Sequence, residues 1–255
     1  MLEWLPTEGA RRRAVLATAV YAVATLVYLL CAARETLTEH TPFNHFALQA
    51  EAWLHGRLDL GGPPPDYAHG NDFSRFEDRW FVPFPPFPAL LLLPVVALSG
   101  GHAEVVADGR FFLLLAGLAP AALFLGLEKL RERGDSERSE RENLGLTVLF
   151  ALGSVYFFSA EQGTVWYAAH VVGAALAALY FWVSLGAARP WLAGLLLGLG
   201  FATRTPLLFA APLFVLELAR ACLPSGAELS LKNLGQLDRS RFAKRLVVFA
   251  APIFL

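Results

Sequence analysis

Apolar residues come in long blocks along this chain, and the polar intervals between the blocks are short, with one exception. Residues 14–33 (AVLATAVYAVATLVYLLCAA) form the first block, long enough for one membrane-spanning helix of about 20 residues. The exception follows directly. Residues 34–81 form a polar stretch with four of the six histidines (His40, His45, His55, His69) and eight carboxylates against four arginines. Inside it, PFNHFALQAEAWLHGRLDL has helical spacing. Phe43, Phe46, Ala47, Ala50, Trp53 and Leu54 follow the i, i+3, i+4, i+7 rule, with Pro42 as start signal and Gly56 near the end. Such a helix beside a bilayer is expected to lie in the interface, apolar face down. The connector GGPPPDYAHGND then reads as irregular turns.

Residues 82–100 are apolar but rich in proline, which suits a re-entrant segment buried in protein better than a full crossing. Further spans are expected at 111–127, 144–160, 165–186, 190–203 and 206–221. A mixed-charge segment, 128–143, separates the first two of these. The segment 220–245 carries six basic residues against two acidic ones. Arg11-Arg12-Arg13 before the first span and this basic segment both read as cytoplasmic. Those two assignments agree only if 82–100 does not cross. The 34–81 loop, the Glu161-Gln162-Gly163-Thr164 turn and the Arg204-Thr205-Pro206 turn then share the outer face. The closing RLVVFAAPIFL starts another apolar run, as expected of a fragment of a longer protein.

Composition agrees with the pattern. Hydrophobic residues make up 56%, charged ones 17%, and mean hydropathy is +0.48. The predicted fold is all-α: a polytopic transmembrane helix bundle forming one membrane domain over 1–255, with a large outer first loop that carries an amphipathic juxtamembrane helix. This places the chain in the plasma (inner) membrane as a multi-pass protein. A net charge of −1 gives no footprint for nucleic acid. Cys31 and Cys222 lie at or near the ends of apolar runs and read as small apolar residues, not a disulfide.

Acid/base chemistry at a membrane face needs a carboxylate or imidazole near the substrate, and the first loop supplies both. Its histidines match no compact metal-ligand spacing, so no metal site is assigned and no cofactor is named. A divalent cation held by carboxylates alone stays open. His170, one turn into the 165–186 block, reads either as a hydrogen-bonded core residue or as a substrate contact. Arg204, between two apolar blocks, reads either as a snorkelling side chain or as a phosphate clamp, and Arg75 and Arg79 offer the same guanidinium chemistry. No Walker motif, GxGxxG fingerprint, Gly-x-Ser-x-Gly elbow or CxxC pair is present.

The order of QAEAWLHGRLDL in an outer loop, PFPPFPALLLLP after it, and WLAGLLLGLGFATRTPLLFAAP opening a later helix resembles the C-type polytopic membrane glycosyltransferases, near the protein-mannosyltransferase-like group. These features cover most of residues 14–215. The resemblance implies transfer of a sugar from a polyprenyl-phosphate donor, with membrane lipid as the surrounding partner. It also implies a general base or metal-ligating carboxylate in the first outer loop and a second acidic motif later. Asn44-His45 stands where that first carboxylate commonly sits, and Glu39 and Glu51 are the nearest acids. The expected base is therefore His45, Glu51 or Glu39. Asn44, Glu161 and His170 are expected around the substrate, and Arg204 or Arg79 on its phosphate. The competing expectation is a non-catalytic membrane protein, an envelope-assembly scaffold or a lipid or glycan carrier. A secondary transporter ranks below both, because only one helix break, at 82–88, is legible.

Overall fold

The computed structural model describes residues 9–224 and 226–254. In chain order the helices are α1 (Ala10–Cys31), α2 (Arg34–Thr38) and α3 (His45–Leu54). A two-stranded antiparallel hairpin, β1 (Ser74–Phe76) and β2 (Arg79–Phe81), precedes α4 (Phe87–Leu98). Then come α5 (Asp108–Ala116), α6 (Leu118–Glu132), α7 (Glu140–Gly153), α8 (Val155–Gln162) and α9 (Val165–Ser184). The last are α10 (Pro190–Phe201), α11 (Ala211–Ala221) and α12 (Arg239–Ala250).

Among the described residues, three stretches are long and apolar enough to cross a membrane: Ala10–Cys31, Asp108–Glu132 and Val165–Ala187. The pair α7 and α8 makes a fourth if counted as one span, bent by 57°. The bend has a local cause at Ser154. Its backbone is extended, and its hydroxyl both donates to the Phe150 carbonyl at 2.6 Å and accepts from Tyr156 N–H at 3.1 Å. These helices are compatible with a polytopic membrane bundle. The spans expected at 190–203 and 206–221 are corrected: α10 has 12 residues and α11 has 11. At 1.5 Å per residue each is roughly 18 Å long, short of the ~30 Å hydrocarbon layer. The chain between them turns at Arg204 and forms a 3₁₀ segment, Thr205–Ala210.

The chain falls into two compact units. One comprises the described residues of Met1–Tyr21, Leu118–Leu149 and Gly173–Leu255. Its core joins Tyr180, Leu197, Phe214, Leu218 and Phe249, with the Phe214 and Phe249 rings stacked at 4.2 Å. Gly194 and Gly198 let α10 meet the last helical residues main chain to main chain. A Cβ at Gly198 would stand 2.9 Å from the Pro252 carbonyl oxygen, the close approach that small-xxx-small spacing permits.

The other unit comprises Ala22–Gly117 and Phe150–Val172. Here α3 packs along α4, with Phe46, Ala47 and Ala50 on one side and Ala89, Leu92 and Val96 on the other all fully or nearly fully buried. The apolar face expected to lie on lipid is thus covered largely by α4. That helix, 12 residues long, is too short to cross alone. A second relationship fixes where the chain returns. Thr41, ten residues past the end of α1, is hydrogen-bonded to Asp108, the first residue of α5. The intervening chain therefore returns to the place it left. The turn after α8 reaches the same place. Gly163, at φ +62°, packs so tightly on Gly109 that a Cβ there would be 2.7 Å from the Gly109 carbonyl oxygen. The first loop and the Glu161-Gln162-Gly163 turn thus meet in one unit. Arg204 belongs to the other unit.

Candidate functional site

The start of α3 is pinned from both sides. Asp108, 2% exposed, accepts from the Thr41 backbone N–H at 2.7 Å and from the Thr41 hydroxyl at 2.9 Å. Asn44 occupies the N-cap position without capping the helix. Its Oδ1 instead accepts from the Tyr67 hydroxyl at 3.2 Å. His40 completes this group, with its ring 4.5 Å from that of Tyr67. Burial pushes the Tyr67 phenol up from its ordinary range. The Asn44 hydrogen bond opposes the shift, while the charges of Glu104, Asp108 and Glu51 add to it. Three carboxylates from three segments therefore lie within electrostatic reach of one phenol.

His45, the first residue of α3, is wholly buried. Its Nε2 donates to the Asn71 carbonyl at 2.8 Å. The imidazole stacks on Phe73 at 4.2 Å and meets the edge of Phe84 at 5.5 Å. The side chain ties the connector down on α3 and does not line the neighbouring cavity.

That cavity, about 510 Å³, lies against a different part of α3. Glu51 is six residues, and so about 120° of helix rotation, away from His45. Glu51 lines the cavity with Leu48 and Ala52. The chain after α3 supplies Arg57, Leu60, Pro63 and Pro65, and the turn after α4 supplies His102, Glu104 and Val105. The Glu51 carboxylate is held in place. Its Oε2 accepts from the Ala103 backbone N–H at 2.7 Å, and Oε1 has no protein partner among the described residues. Arg57 and Glu104 likewise have no ion-pair partner among the described residues. The Arg57 guanidinium folds across Gly61, where any side chain would collide with it. The cavity therefore offers one oriented carboxylate, one unneutralised cation, a second carboxylate and an imidazole. Such a set can take a proton from a hydroxyl and can hold an anion.

The remaining sequence candidates lie elsewhere. Glu39 is exposed just past α2 and has no side-chain hydrogen bond among the described residues. Arg79 is exposed on β2, 3.5 Å from Asp59 and over the Phe81 ring. Glu161 is half-buried at the end of α8, with the Gln162 amide 3.5 Å away. His170 is exposed on α9. Arg204 is half-buried in the other unit, with its stem packed where α9 has Gly173. A Cβ at Gly173 would lie 3.5 Å from Arg204 Cγ. Among the described residues no group of three or more His, Cys, Asp or Glu is arranged to hold a metal ion.

Four residues that sequence reasoning did not select belong to this region: Arg57, His102, Glu104 and Asp108. Arg57 carried a signal, since it lies in the HGR segment that ends the amphipathic stretch. Asp108-Gly109, one residue before an apolar run, is a helix-start signal. His102 and Glu104 carry no sequence signal. Comparison with protein-family models, with curated proteins and with solved structures found no match.

Proposed function

We propose that this protein is an integral-membrane glycosyltransferase. It moves a sugar from a polyprenyl-phosphate donor to an acceptor hydroxyl on the extracytoplasmic face of the plasma membrane. The observation that carries this reading is the cavity shared by Glu51, with its main-chain-oriented carboxylate, and the unneutralised Arg57. The motif order in the sequence supports it independently.

In this reading Glu51 is the general base. Its Oε1 takes the proton of the acceptor hydroxyl as that oxygen attacks the anomeric carbon. The bond from that carbon to the phosphate oxygen breaks, and the electron pair leaves with the polyprenyl phosphate. Arg57 neutralises the charge on that leaving group, as guanidinium does best for phosphate. Arg79 is less suited, being 3.5 Å from Asp59, and Arg204 belongs to the other unit. Glu104 and His102 line the same cavity, and in this reading they hydrogen-bond sugar hydroxyls.

The test is photolabelling of the full chain in lipid nanodiscs with a photoreactive polyprenyl-phosphate sugar. Labelling should fall on the segment 48–65 or 102–105 and be lost in Arg57→Ala. Labelling confined to other segments, or undiminished in that variant, refutes the proposal.

A further inference from the structure

Five buried polar side-chain atoms lack a hydrogen-bond partner among the described residues, and three of them fall within six residues: Asn44 Nδ2, His45 Nδ1 and Gln49 Oε1. Asn44 is 1% exposed and His45 0%. The rest of each group's bonding is already fixed. Asn44 Oδ1 takes the Tyr67 hydroxyl, so its amide nitrogen is left to donate. His45 Nε2 faces a carbonyl, which can only accept, so the ring proton sits on Nε2 and Nδ1 is left as a bare acceptor. Gln49 follows His45 by one helical turn, i to i+4, which puts the two side chains on one face.

The unmet demand is therefore two acceptors and one donor at the first turns of α3. Buried polar groups in folded proteins are met by protein or by a bound polar molecule, because leaving them bare is costly. We infer that this end of α3 is a binding site for one small hydroxyl ligand, whose oxygen accepts from Asn44 and whose O–H groups donate to His45 and Gln49. Water matches that inventory with two donors and an acceptor, and so do the neighbouring hydroxyls of a sugar. The inference stands apart from the Glu51 cavity, which none of the three residues lines. It gives Asn44 and His45 a ligand role without acid/base chemistry.

The experiment is solid-state NMR of the full chain in nanodiscs with ¹⁵N-labelled histidine and glutamine, using water-edited transfer to His45 Nδ1. A water cross-peak that persists with a saturating short-chain glucoside present identifies internal water. One that the glucoside removes, with a shift of the Nδ1 resonance, identifies a sugar hydroxyl. Either result supports the site, and Gln49→Met, which removes one acceptor while keeping the side-chain length, should weaken the transfer severalfold. Absence of transfer from water overturns the inference, as does transfer from the Gln49 side-chain amide in its place. Neither outcome depends on whether the chain transfers sugar.

Discussion

The Asp108 carboxylate holds Thr41 twice, through its backbone N–H at 2.7 Å and its hydroxyl at 2.9 Å. The pair joins the chain just past α2 to the first residue of α5, across 67 residues of sequence. It thereby sets the entry to α3. The backbone donor cannot be removed by substitution, but the hydroxyl can. Thr41→Val keeps the side-chain shape and leaves one Asp108 oxygen without its partner. It is expected to cost about 1–3 kcal/mol, read as a lowered melting temperature of the purified protein in detergent. Thr41→Ser should recover most of the loss, and an unchanged melting temperature in the valine variant would show that the contact contributes nothing.

The same relationship makes a topological prediction. In a Cys31→Ala, Cys222→Ala background, single cysteines at positions 70 and 162 should react with an impermeant thiol reagent from one side of the membrane. A cysteine at 135 should react from the other. If 70 and 162 label from opposite sides, the 82–100 segment crosses and the proposed common face does not exist.

Gly163 tests the second junction of this unit. At φ +62° with a main-chain carbonyl 2.7 Å from the missing Cβ, it has neither the conformation nor the space for a side chain. Gly163→Ala should destabilise by about 1–3 kcal/mol from overpacking, and backbone strain adds to that. Gly145, with nothing within 4 Å of its missing Cβ, provides the control. Gly145→Ala at that exposed helical position should be neutral or slightly stabilising in the same melting assay.

What the sequence could and could not reveal follows from what each signal depends on. The membrane-length blocks at α1, α5–α6 and α9 were legible because length and apolarity are local properties. The blocks at 190–203 and 206–221 misled because apolarity does not separate α-helix from 3₁₀ turn: α10 ends at Phe201, and Thr205–Ala210 is 3₁₀, which leaves α11 only 11 residues. Within the first loop, periodicity located α3 correctly but could not say what covers each face. His45 and Glu51 both looked available. Packing by Phe73, Phe84 and the Asn71 carbonyl holds the first away from the cavity that Glu51 lines, and the Ala103 N–H orients the second toward it. Those partners lie 26 to 52 residues away in the chain, and no local pattern encodes them. Asp108 went unselected for the same reason, since its meaning lies in Thr41.

The account turns on Glu51. Glu51→Gln retains an amide oxygen that can accept from Ala103 N–H, so the fold around the cavity should persist while the base is lost. The most direct measurement is turnover of a polyprenyl-phosphate-linked sugar by wild-type and Glu51→Gln protein in proteoliposomes, at matched amounts of folded protein. The account predicts transfer by the wild type and a loss of about 10²–10⁴-fold in the variant, the usual contribution of a positioned general base. Equal turnover in the two proteins would contradict it.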